Sequence, residues 1–305
     1  MSWHYLPTYE IQNIIKLLKL KKKKKTGGYD EIATQILKLS APYVISSLTC
    51  ICNAILNTCI FPDKLKYTII NPVFKKGDGQ DVTNYRPISL LTSFSKVIEN
   101  LMHARILDHI TTNSILINKQ YRFRTWYSNE QVSFSLTNNI LTAMNNNLKI
   151  GGIFCDLQKA FDCVNHKILL DKLEFYRIEG KFKTLIEYYL TCRYQKVILN
   201  NNANTNSSLK WKLIKNGVPQ GSTFGPLFFL LYINDLPKII TKNNSMVLFT
   251  DNASLFITDS NDLDFNININ QSFHNIISWF NSNLLILKFN KTHYVEFRKK
   301  KLLSG

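Results

Sequence analysis

The segment VLFTDNASLFIT, residues 247–258, places short apolar runs on either side of a polar pair, Asp251 and Asn252. Asp and Asn tolerate the backbone conformations that tight hairpin turns require. The segment therefore predicts a β-hairpin with this pair at its tip. Strands and helices interleave along the rest of the chain without regular βαβ units. The pattern predicts an α+β fold with an antiparallel sheet.

Apolar periodicity and the positions of Gly and Pro predict the other elements. Strands are predicted at Gly151–Cys155 and His293–Phe297, in DKLKYTIIN between Pro62 and Pro72, and as a pair, QKVILN with SLKWKLI. Helices are predicted from Ile32, capped by Asp30, in ISSLTCICNAIL, from Ser93 to Ile110, within DLQKAFDCVNHKILLDKL, from Pro226 to near Pro237, and in SFHNIISWFNSNLLIL.

The chain is strongly basic, with 38 Lys and Arg against 21 Asp and Glu and a net charge of +17. Such a charge favours a polyanionic partner, either nucleic acid or a membrane face, over a basic protein without one. The lysine run Lys21–Lys25 has three open interpretations: a solvated segment, a nuclear address or a phosphate contact. Charge therefore indicates nucleic-acid binding without locating it.

Cysteine usage and apolar runs bear on where the protein acts. The six cysteines form no CxxC pair, and no His lies at zinc-ligand spacing. We expect all six to be buried, reduced thiols. The first residues carry no signal-peptide pattern, and the apolar run Pro226–Ile233 is too short to span a bilayer. These features predict an intracellular protein, in the nucleus, the cytoplasm or both, without a membrane partner.

Two aspartates stand where a metal site could form. Asp156 follows a buried strand, and Asp251 lies at the predicted hairpin tip. Neighbouring strands could bring them together, and paired carboxylates hold Mg²⁺ together with substrate phosphates. Two such ions about 4 Å apart stabilise the attacking and leaving oxygens of phosphoryl transfer. Caps or solvated turns explain single aspartates equally well, so spacing alone leaves both interpretations open.

Five segments occur in a fixed order: NPVFKKGDGQDVTNYRPISLLTSFSKVIENLMHARI, FCDLQKAFDCVNHKILLDKL, NGVPQGSTFGPLFFLLYINDLP, VLFTDNASLFIT and SWFNSNLLILKFNKTHYVEF. Together they resemble the reverse transcriptase of non-LTR (LINE-type) retrotransposons, most closely the jockey-type arthropod elements. TGGYDEIATQILK and FPDKLKYTIINPVFKKGD are similar to the region ahead of that core. The resemblance covers roughly residues 25 to 299.

The resemblance implies a right-hand polymerase with fingers and palm, an antiparallel palm sheet flanked by helices, and a thumb that is largely absent. It implies RNA-directed DNA synthesis from dNTPs with Mg²⁺ or Mn²⁺, on an RNA template and a DNA primer. We expect a basic N-terminal helical region over residues 1–53, leading into the fingers. The reverse transcriptase domain, fingers and palm, would then occupy residues 54–305.

The resemblance also implies roles for palm residues. Asp156 and Asp251 match the metal-binding aspartates. Phe161 matches the residue that closes the sugar pocket and excludes a 2′-OH, with a structural core Phe as the alternative. Lys291 matches a late palm lysine near the leaving pyrophosphate, with an exposed structural Lys as the alternative.

Residues of the fingers and of the PQG motif acquire roles in the same way. Gln220 and Gly221 match the motif that packs against the incoming nucleotide and the template. Arg86 and Lys75 or Lys76 match residues facing the triphosphate, for which the planar Arg fork is well suited. An exposed turn explains the two lysines equally well.

This chain departs from the family pattern in three ways. The family has two adjacent aspartates at the hairpin tip, in the motif FADD. This chain has Thr250-Asp251-Asn252 in place of the last three residues, so an amide replaces the second carboxylate. Arg122 replaces a glycine, and Asn129 replaces a threonine. We expect the endonuclease domain of full elements to be absent and little or no thumb to follow the palm. We therefore expect a decaying copy.

Three interpretations compete: a polymerase, a catalytically impaired pseudoenzyme that binds nucleic acid without polymerising, and an unrelated basic nucleic-acid-binding module. The ordered motifs disfavour the third.

Overall fold

The structure, a computed structural model of the 305-residue chain, describes residues 5–19, 27–117, 119–120, 129–200, 206–241, 244–249 and 252–298. The chain divides into two compact units. Unit 1 consists of Met1–Ile115 and His166–Phe228, and unit 2 of Leu116–Asn165 and Phe229–Gly305. Each unit is discontinuous in sequence, and neither has a boundary between residues 53 and 54. Separate roles for the segments 1–53 and 54–305 stay a prediction.

Helices and strands interleave along the described residues. The helices are α1 Thr8–Leu17, α2 Thr34–Thr58, α3 Ser93–Thr112, α4 Asn129–Asn145, α5 His166–Phe175, α6 Lys181–Leu190, α7 Phe224–Ile233 and α8 Asp262–Ser282. The strands are β1 Tyr67–Phe74, β2 Tyr85–Leu90, β3 Lys149–Gln158, β4 Arg193–Asn200, β5 Asn206–Ser208, β6 Lys212–Ile214, β7 Ser245–Phe249, β8 Asn252–Asp259, β9 Ile286–Leu287 and β10 His293–Phe297. The predicted α+β class is confirmed.

Unit 1 contains a mixed sheet of strand order β2-β1-β4-β5, with β6 also paired to β4. Strand β1 runs antiparallel to β2 and parallel to β4. Its residues Thr68 and Ile70 are buried, and their neighbours in the strand are half-buried, because successive side chains point to opposite faces. Contrary to the prediction, the strand continues through Pro72. Pairing with β4 covers only Tyr67–Ile70, so Pro72 lies where a missing N–H is tolerated.

Helix α3 packs against α1 and α2 in the same unit and has the predicted start. Thr92, 1% exposed, precedes it, and its hydroxyl oxygen accepts a hydrogen bond from the Ser95 N–H at 3.0 Å. Such a cap satisfies one of the free N–H groups of the first turn. The helix runs to Thr112, one half-turn beyond the predicted end at Ile110.

Helix α2 corrects two predictions at once. The helices predicted from Ile32 and in ISSLTCICNAIL are one continuous element with Pro42 inside it. Asp30 does not cap it, since Ala33 is the capping residue and the Asp30 carboxylate accepts a hydrogen bond from the Ile32 N–H at 3.2 Å. By length and composition alone, α2 is one helix that could cross a bilayer, and a third of its most apolar window is buried. That is weak evidence, because the core helices of globular proteins meet the same criterion.

Unit 2 is built on an antiparallel sheet of order β10-β3-β8-β7, with β9 paired to the end of β3. Ile150 of β3 and Phe256 of β8 are buried and pack with Ala143 of α4. The strand predicted over His293–Phe297 is confirmed residue for residue. The antiparallel sheet flanked by helices is therefore as predicted.

Two helices differ from their predicted bounds. Helix α7 begins at Phe224, before Pro226, which the first turn tolerates because it needs no N–H there. Helix α8 begins at Asp262 and ends at Ser282, so the last apolar residues of SFHNIISWFNSNLLIL lie outside it. Leu284 has a φ of +53°, which is incompatible with a continuing helix, and the next residues form β9.

The cysteines are only partly as predicted. Cys52, Cys59 and Cys155 are buried, Cys163 is half-buried, and Cys50 and Cys192 are exposed. Cys192 lies in the turn between α6 and β4 with a φ of +53°, where the surface is open. Burial raises the pKa of Cys52 and Cys155 to about 12, so these thiols stay protonated and unreactive.

Candidate active site

The pairing of β3 with β8 places the first predicted metal ligand. Asp156, near the end of β3, lies directly opposite Asn252, the first residue of β8. Asn252 also pairs with Phe249, the last residue of β7. The predicted hairpin is confirmed, but Asn252 belongs to the strand and not to the tip. Asp251, predicted as the second metal aspartate, lies outside the described residues.

Asp156 and Lys291 approach each other in unit 2. The Lys291 ammonium is 3.6 Å from a carboxylate oxygen of Asp156, and both side chains are partly exposed. The backbone explains this placement: the Lys288 N–H donates to the Asp156 carbonyl oxygen at 2.9 Å, and the Lys291 N–H donates to Lys288 at 2.9 Å. A short 3-10 turn over Phe289–Lys291 therefore returns the lysine to the end of β3.

These side chains line one pocket of about 490 Å³ in unit 2. Its lining residues are Phe154, Cys155, Asp156, Asn252, Ser254, Lys291 and His293. The sequence reasoning missed Ser254 and His293. Ser254 lies two positions along β8 from Asn252, and the period-2 geometry of a strand is the signal that could have found it.

The donor set bears on whether a divalent cation fits. Among the described residues, no group of three or more His, Cys, Asp or Glu side chains gathers. The pocket offers one carboxylate, Asp156, and one amide, Asn252, and oxygen atoms of both kinds are the ligands that hard cations take. The pair fits a cation that completes its shell with phosphate oxygens and water. The Lys291 ammonium beside Asp156 already balances that negative charge, which weakens the fit.

Phe161 follows β3 on the tight turn that begins at Lys159, whose φ is +49°. The Asp162 N–H donates to the Lys159 carbonyl oxygen at 2.8 Å, which closes the turn. The Phe161 ring lies 5.2 Å from the ring of Phe229 in α7, centre to centre, and is half-buried. This packing supports the structural alternative for Phe161, and its role at a sugar pocket stays a prediction.

The residues predicted to face the triphosphate lie in unit 1. Lys75 and Lys76 follow β1 in an exposed turn, and the Lys75 N–H donates to the Asn84 carbonyl oxygen at 2.9 Å. Arg86 is exposed in β2, opposite Val73. All three cations are thus available to solvent near the β1–β2 connection.

The PQG motif is fixed to the same sheet. The Gln220 carbonyl oxygen accepts a hydrogen bond from the Ser89 N–H of β2 at 2.7 Å. Gly221 has a φ of +112°, and a Cβ there would lie 3.1 Å from the Ser89 carbonyl oxygen. Only glycine meets both demands without strain, which explains the residue type. Of the remaining departures, Arg122 lies outside the described residues and Asn129 is the first residue of α4.

Known proteins match this chain at the level of sequence. Residues 73–303 match the family described as reverse transcriptase (RNA-dependent DNA polymerase). The chain belongs to this family. The match includes every predicted site residue from Lys75 to Lys291 and begins within β1.

Curated relatives point to non-LTR mobile elements. A probable RNA-directed DNA polymerase from transposon BS of Drosophila melanogaster is 32% identical over 228 residues, which are 74% of this chain and 24% of the relative. The RNA-directed DNA polymerase from mobile element jockey of the same organism is 31% identical over 229 residues, 75% of this chain and 24% of the relative. The chain thus spans about a quarter of the length of these relatives.

Solved structures support the fold. Apo telomerase from Candida tropicalis superposes with a TM-score of 0.55 at 13% identity, covering 79% of this chain and 52% of that one. Telomerase from Candida albicans gives a TM-score of 0.55 at 14% identity, covering 79% and 44%. The chain therefore has the fingers–palm fold of reverse transcriptases, with the antiparallel sheet of unit 2 as its palm sheet.

Proposed function

We propose that this chain is the domain of a non-LTR element protein that synthesises DNA on an RNA template from dNTPs. The observation that carries the proposal is the meeting of Asp156, Asn252 and Lys291 in one pocket of the palm sheet. Family membership and this pocket support the same chemistry. The partners would be an RNA template and a DNA primer, for which the net charge of +17 is suited.

The proposed cofactor is Mg²⁺ or Mn²⁺, held by Asp156 and Asp251. Such ions would neutralise the negative charge that develops on oxygen atoms during phosphoryl transfer. The chain's own residues then orient the substrate. Lys291, 3.6 Å from Asp156, supplies a positive charge toward a departing pyrophosphate, and Arg86 with Lys75 or Lys76 would bind the triphosphate.

A second candidate function rests on one specific observation, the amide of Asn252 opposite Asp156. A hard cation prefers charged oxygen ligands, so an amide weakens the site. In this alternative, the protein binds nucleic acid through its basic surface without polymerising. Retention within the cell, in the nucleus or the cytoplasm, suits both functions and is part of the proposal.

Primer extension on poly(rA)–oligo(dT) with Mg²⁺ and dTTP separates the two functions. Wild type is run beside Asn252→Asp and Asp156→Ala. Extension by wild type but not by Asp156→Ala supports the polymerase and shows that the amide is tolerated. Extension by Asn252→Asp alone supports an intact site silenced by one lost carboxylate. If neither wild type nor Asn252→Asp extends the primer, while both still bind the primer–template, the protein binds nucleic acid without polymerising.

A further inference from the structure

Unit 1 contains a fully buried carboxylate that lies within the first of the five ordered segments and has so far been given no role. Glu99 lies in the middle of α3 and is 0% exposed. One carboxylate oxygen accepts a hydrogen bond from the Tyr189 hydroxyl at 2.6 Å, and the other accepts the Thr223 N–H at 3.0 Å. Burial raises the pKa of Glu99, while the positive charge of Arg193 opposes that rise. A carboxylate in the interior is costly, so its retention calls for a reason.

The partner Thr223 ends the loop that carries Gln220 and Gly221. The Ser222 hydroxyl donates to the Pro219 carbonyl oxygen at 2.8 Å and accepts the Gly225 N–H at 2.8 Å, which shapes the loop internally. Two backbone groups of the loop also bond to other elements. The Gln220 carbonyl oxygen accepts the Ser89 N–H of β2, and the Thr223 N–H donates to the Glu99 carboxylate of α3. Of these two, only the bond to Glu99 uses a side chain that can be replaced.

The other neighbours of Glu99 hold the carboxylate itself. Arg193, 1% exposed, lies over the Tyr189 ring at 4.4 Å from its centroid. Its guanidinium donates to the Tyr189 carbonyl oxygen at 3.2 Å and to the Thr68 hydroxyl at 3.4 Å. The Tyr189 hydroxyl of α6 thus orients the carboxylate before it meets the loop, and the positive charge of Arg193 in β4 favours its charged form.

We propose that Glu99 is a positioning residue, which holds the Gln220–Thr223 loop in the conformation that receives the incoming nucleotide. The proposal deepens the proposed function and rests on it for the nucleotide. Glu99 touches neither substrate nor metal in this role. It acts through the Thr223 N–H, and so through the backbone that presents Gln220 and Gly221.

Three substitutions separate positioning from general stability. Glu99→Leu keeps the volume but removes both acceptor oxygens. Glu99→Gln keeps one neutral acceptor for the Thr223 N–H. Tyr189→Phe keeps both acceptor oxygens of Glu99 but removes the hydroxyl that orients the carboxylate. Met102→Leu is the matched control. Met102 lies on the same helix and is 0% exposed, and its replacement by Leu conserves volume without changing a polar group.

Hydrogen exchange of the amides of residues 219–225 in the folded proteins is the first measurement, since it needs no catalytic activity. We expect the exchange rate of Thr223 to rise about fivefold in Glu99→Gln, where a neutral acceptor replaces a charged one, and more in Glu99→Leu. Tyr189→Phe, which loses one bond that orients the carboxylate, should raise it less than Glu99→Leu does, and Met102→Leu should leave it unchanged. If Glu99→Leu does not fold, Glu99→Gln carries the test. Equal exchange in Glu99→Gln and Met102→Leu overturns the proposal.

Nucleotide affinity is the second measurement, made with dTTP and a primer–template ended by a dideoxynucleotide. We expect Glu99→Leu to raise the Kd for dTTP about tenfold or more, which corresponds to about 1.4 kcal/mol, while the Kd for primer–template stays unchanged. Glu99→Gln should bind dTTP with most of the wild-type affinity. Faster loop exchange with unchanged dTTP affinity overturns the nucleotide role. Should wild type bind no dTTP, the proposed function fails, and the exchange result still decides the positioning role.

Discussion

Restoring a carboxylate opposite Asp156 tests the candidate metal site through stability, independently of catalysis. In Asn252→Asp, two carboxylates lie directly opposite each other on β3 and β8. Without a divalent cation they repel, because like charges directly across a ladder destabilise a sheet. With a divalent cation, the same two charges become ligands. The effect of the substitution on stability should therefore change sign with Mg²⁺.

The size of each term follows from the geometry. Directly opposite residues have Cβ atoms about 5 Å apart, where two unit charges interact by about 0.8 kcal/mol in water and about 3 kcal/mol at a dielectric of 20. Asp156 is 26% exposed and Asn252 is exposed, so the repulsion should lie near 1 kcal/mol. A cation present at 100 times its Kd stabilises by about 2.7 kcal/mol, which exceeds that repulsion.

The assay is thermal unfolding of wild type and Asn252→Asp in EDTA and in excess Mg²⁺. In EDTA we expect the variant to melt about 2 °C below wild type, the shift that 1 kcal/mol gives in a chain of this size. In Mg²⁺ it should melt above wild type. Asn266→Asp, which adds one carboxylate on an exposed position of α8, is the control and should show no response to Mg²⁺.

Two results would refute this reasoning. One is an equal stabilisation of wild type and Asn252→Asp by Mg²⁺, which would mean that the second carboxylate is not a ligand. The other is an Asn252→Asp protein as stable as wild type in EDTA, which would mean that the new carboxylate meets no net negative charge at Asp156 beside Lys291. A double variant, Asp156→Asn with Asn252→Asp, should lose both effects.

Further predictions concern the loop, a histidine and the sugar pocket. Gly221→Ala should lower the free energy of unfolding by about 1–3 kcal/mol in urea, more than Gly180→Ala, where φ is +63° but the space around the Cβ is empty. Burial lowers the pKa of His166, whose Nε2–H donates to a backbone carbonyl, so the unfolded chain binds a proton at higher pH than the folded one. Stability should therefore fall as pH drops from 7 to 5, and His166→Gln should flatten that fall in urea melts. Phe161→Ala should raise the use of UTP relative to dTTP in primer extension; a loss of stability at a constant ratio would instead identify Phe161 as a packing residue only.

Elements with local signals could be predicted from the sequence, and elements decided by packing could not. The strand His293–Phe297 follows from its aromatic and β-branched residues, and the start of α3 after Thr92 follows from capping. Helix α2 was predicted as two helices because Pro42 normally ends a helix. Packing against α1, α3 and α6 stabilises α2 as one helix despite Pro42. These contacts are distant in sequence, so no local pattern reveals them.

The candidate site divides in the same way. The identity of Asp156 and Lys291 could be predicted from ordered motifs, and the structure brings them within 3.6 Å. The position of Asn252 could not, because the apolar part of each strand, 246–249 in β7 and 255–257 in β8, is a short run without alternation. A shift of one residue along such runs leaves the pattern unchanged yet exchanges the faces of the strand. The carboxylate of Glu99 was also missed, since a glutamate in a helix that also has Lys96 and Asp108 carries no local sign of its burial or its partners.

The pairing of Asp156 with residue 252 links stability and chemistry, because Asn and Asp at that position differ only in an amide nitrogen against a carboxylate oxygen. An amide removes the repulsion that a second carboxylate would impose on the metal-free palm sheet, and it removes a charged ligand at the same time. A chain under selection for folding alone would therefore keep Asn252, whereas a chain under selection for polymerisation would favour aspartate. If Asn252→Asp costs stability without Mg²⁺ and supplies activity with it, this chain has the amide at the expense of catalysis. If wild type polymerises unaided, the site functions with Asp156 and the remaining tip aspartate, and the amide is a stabilising substitution that catalysis tolerates.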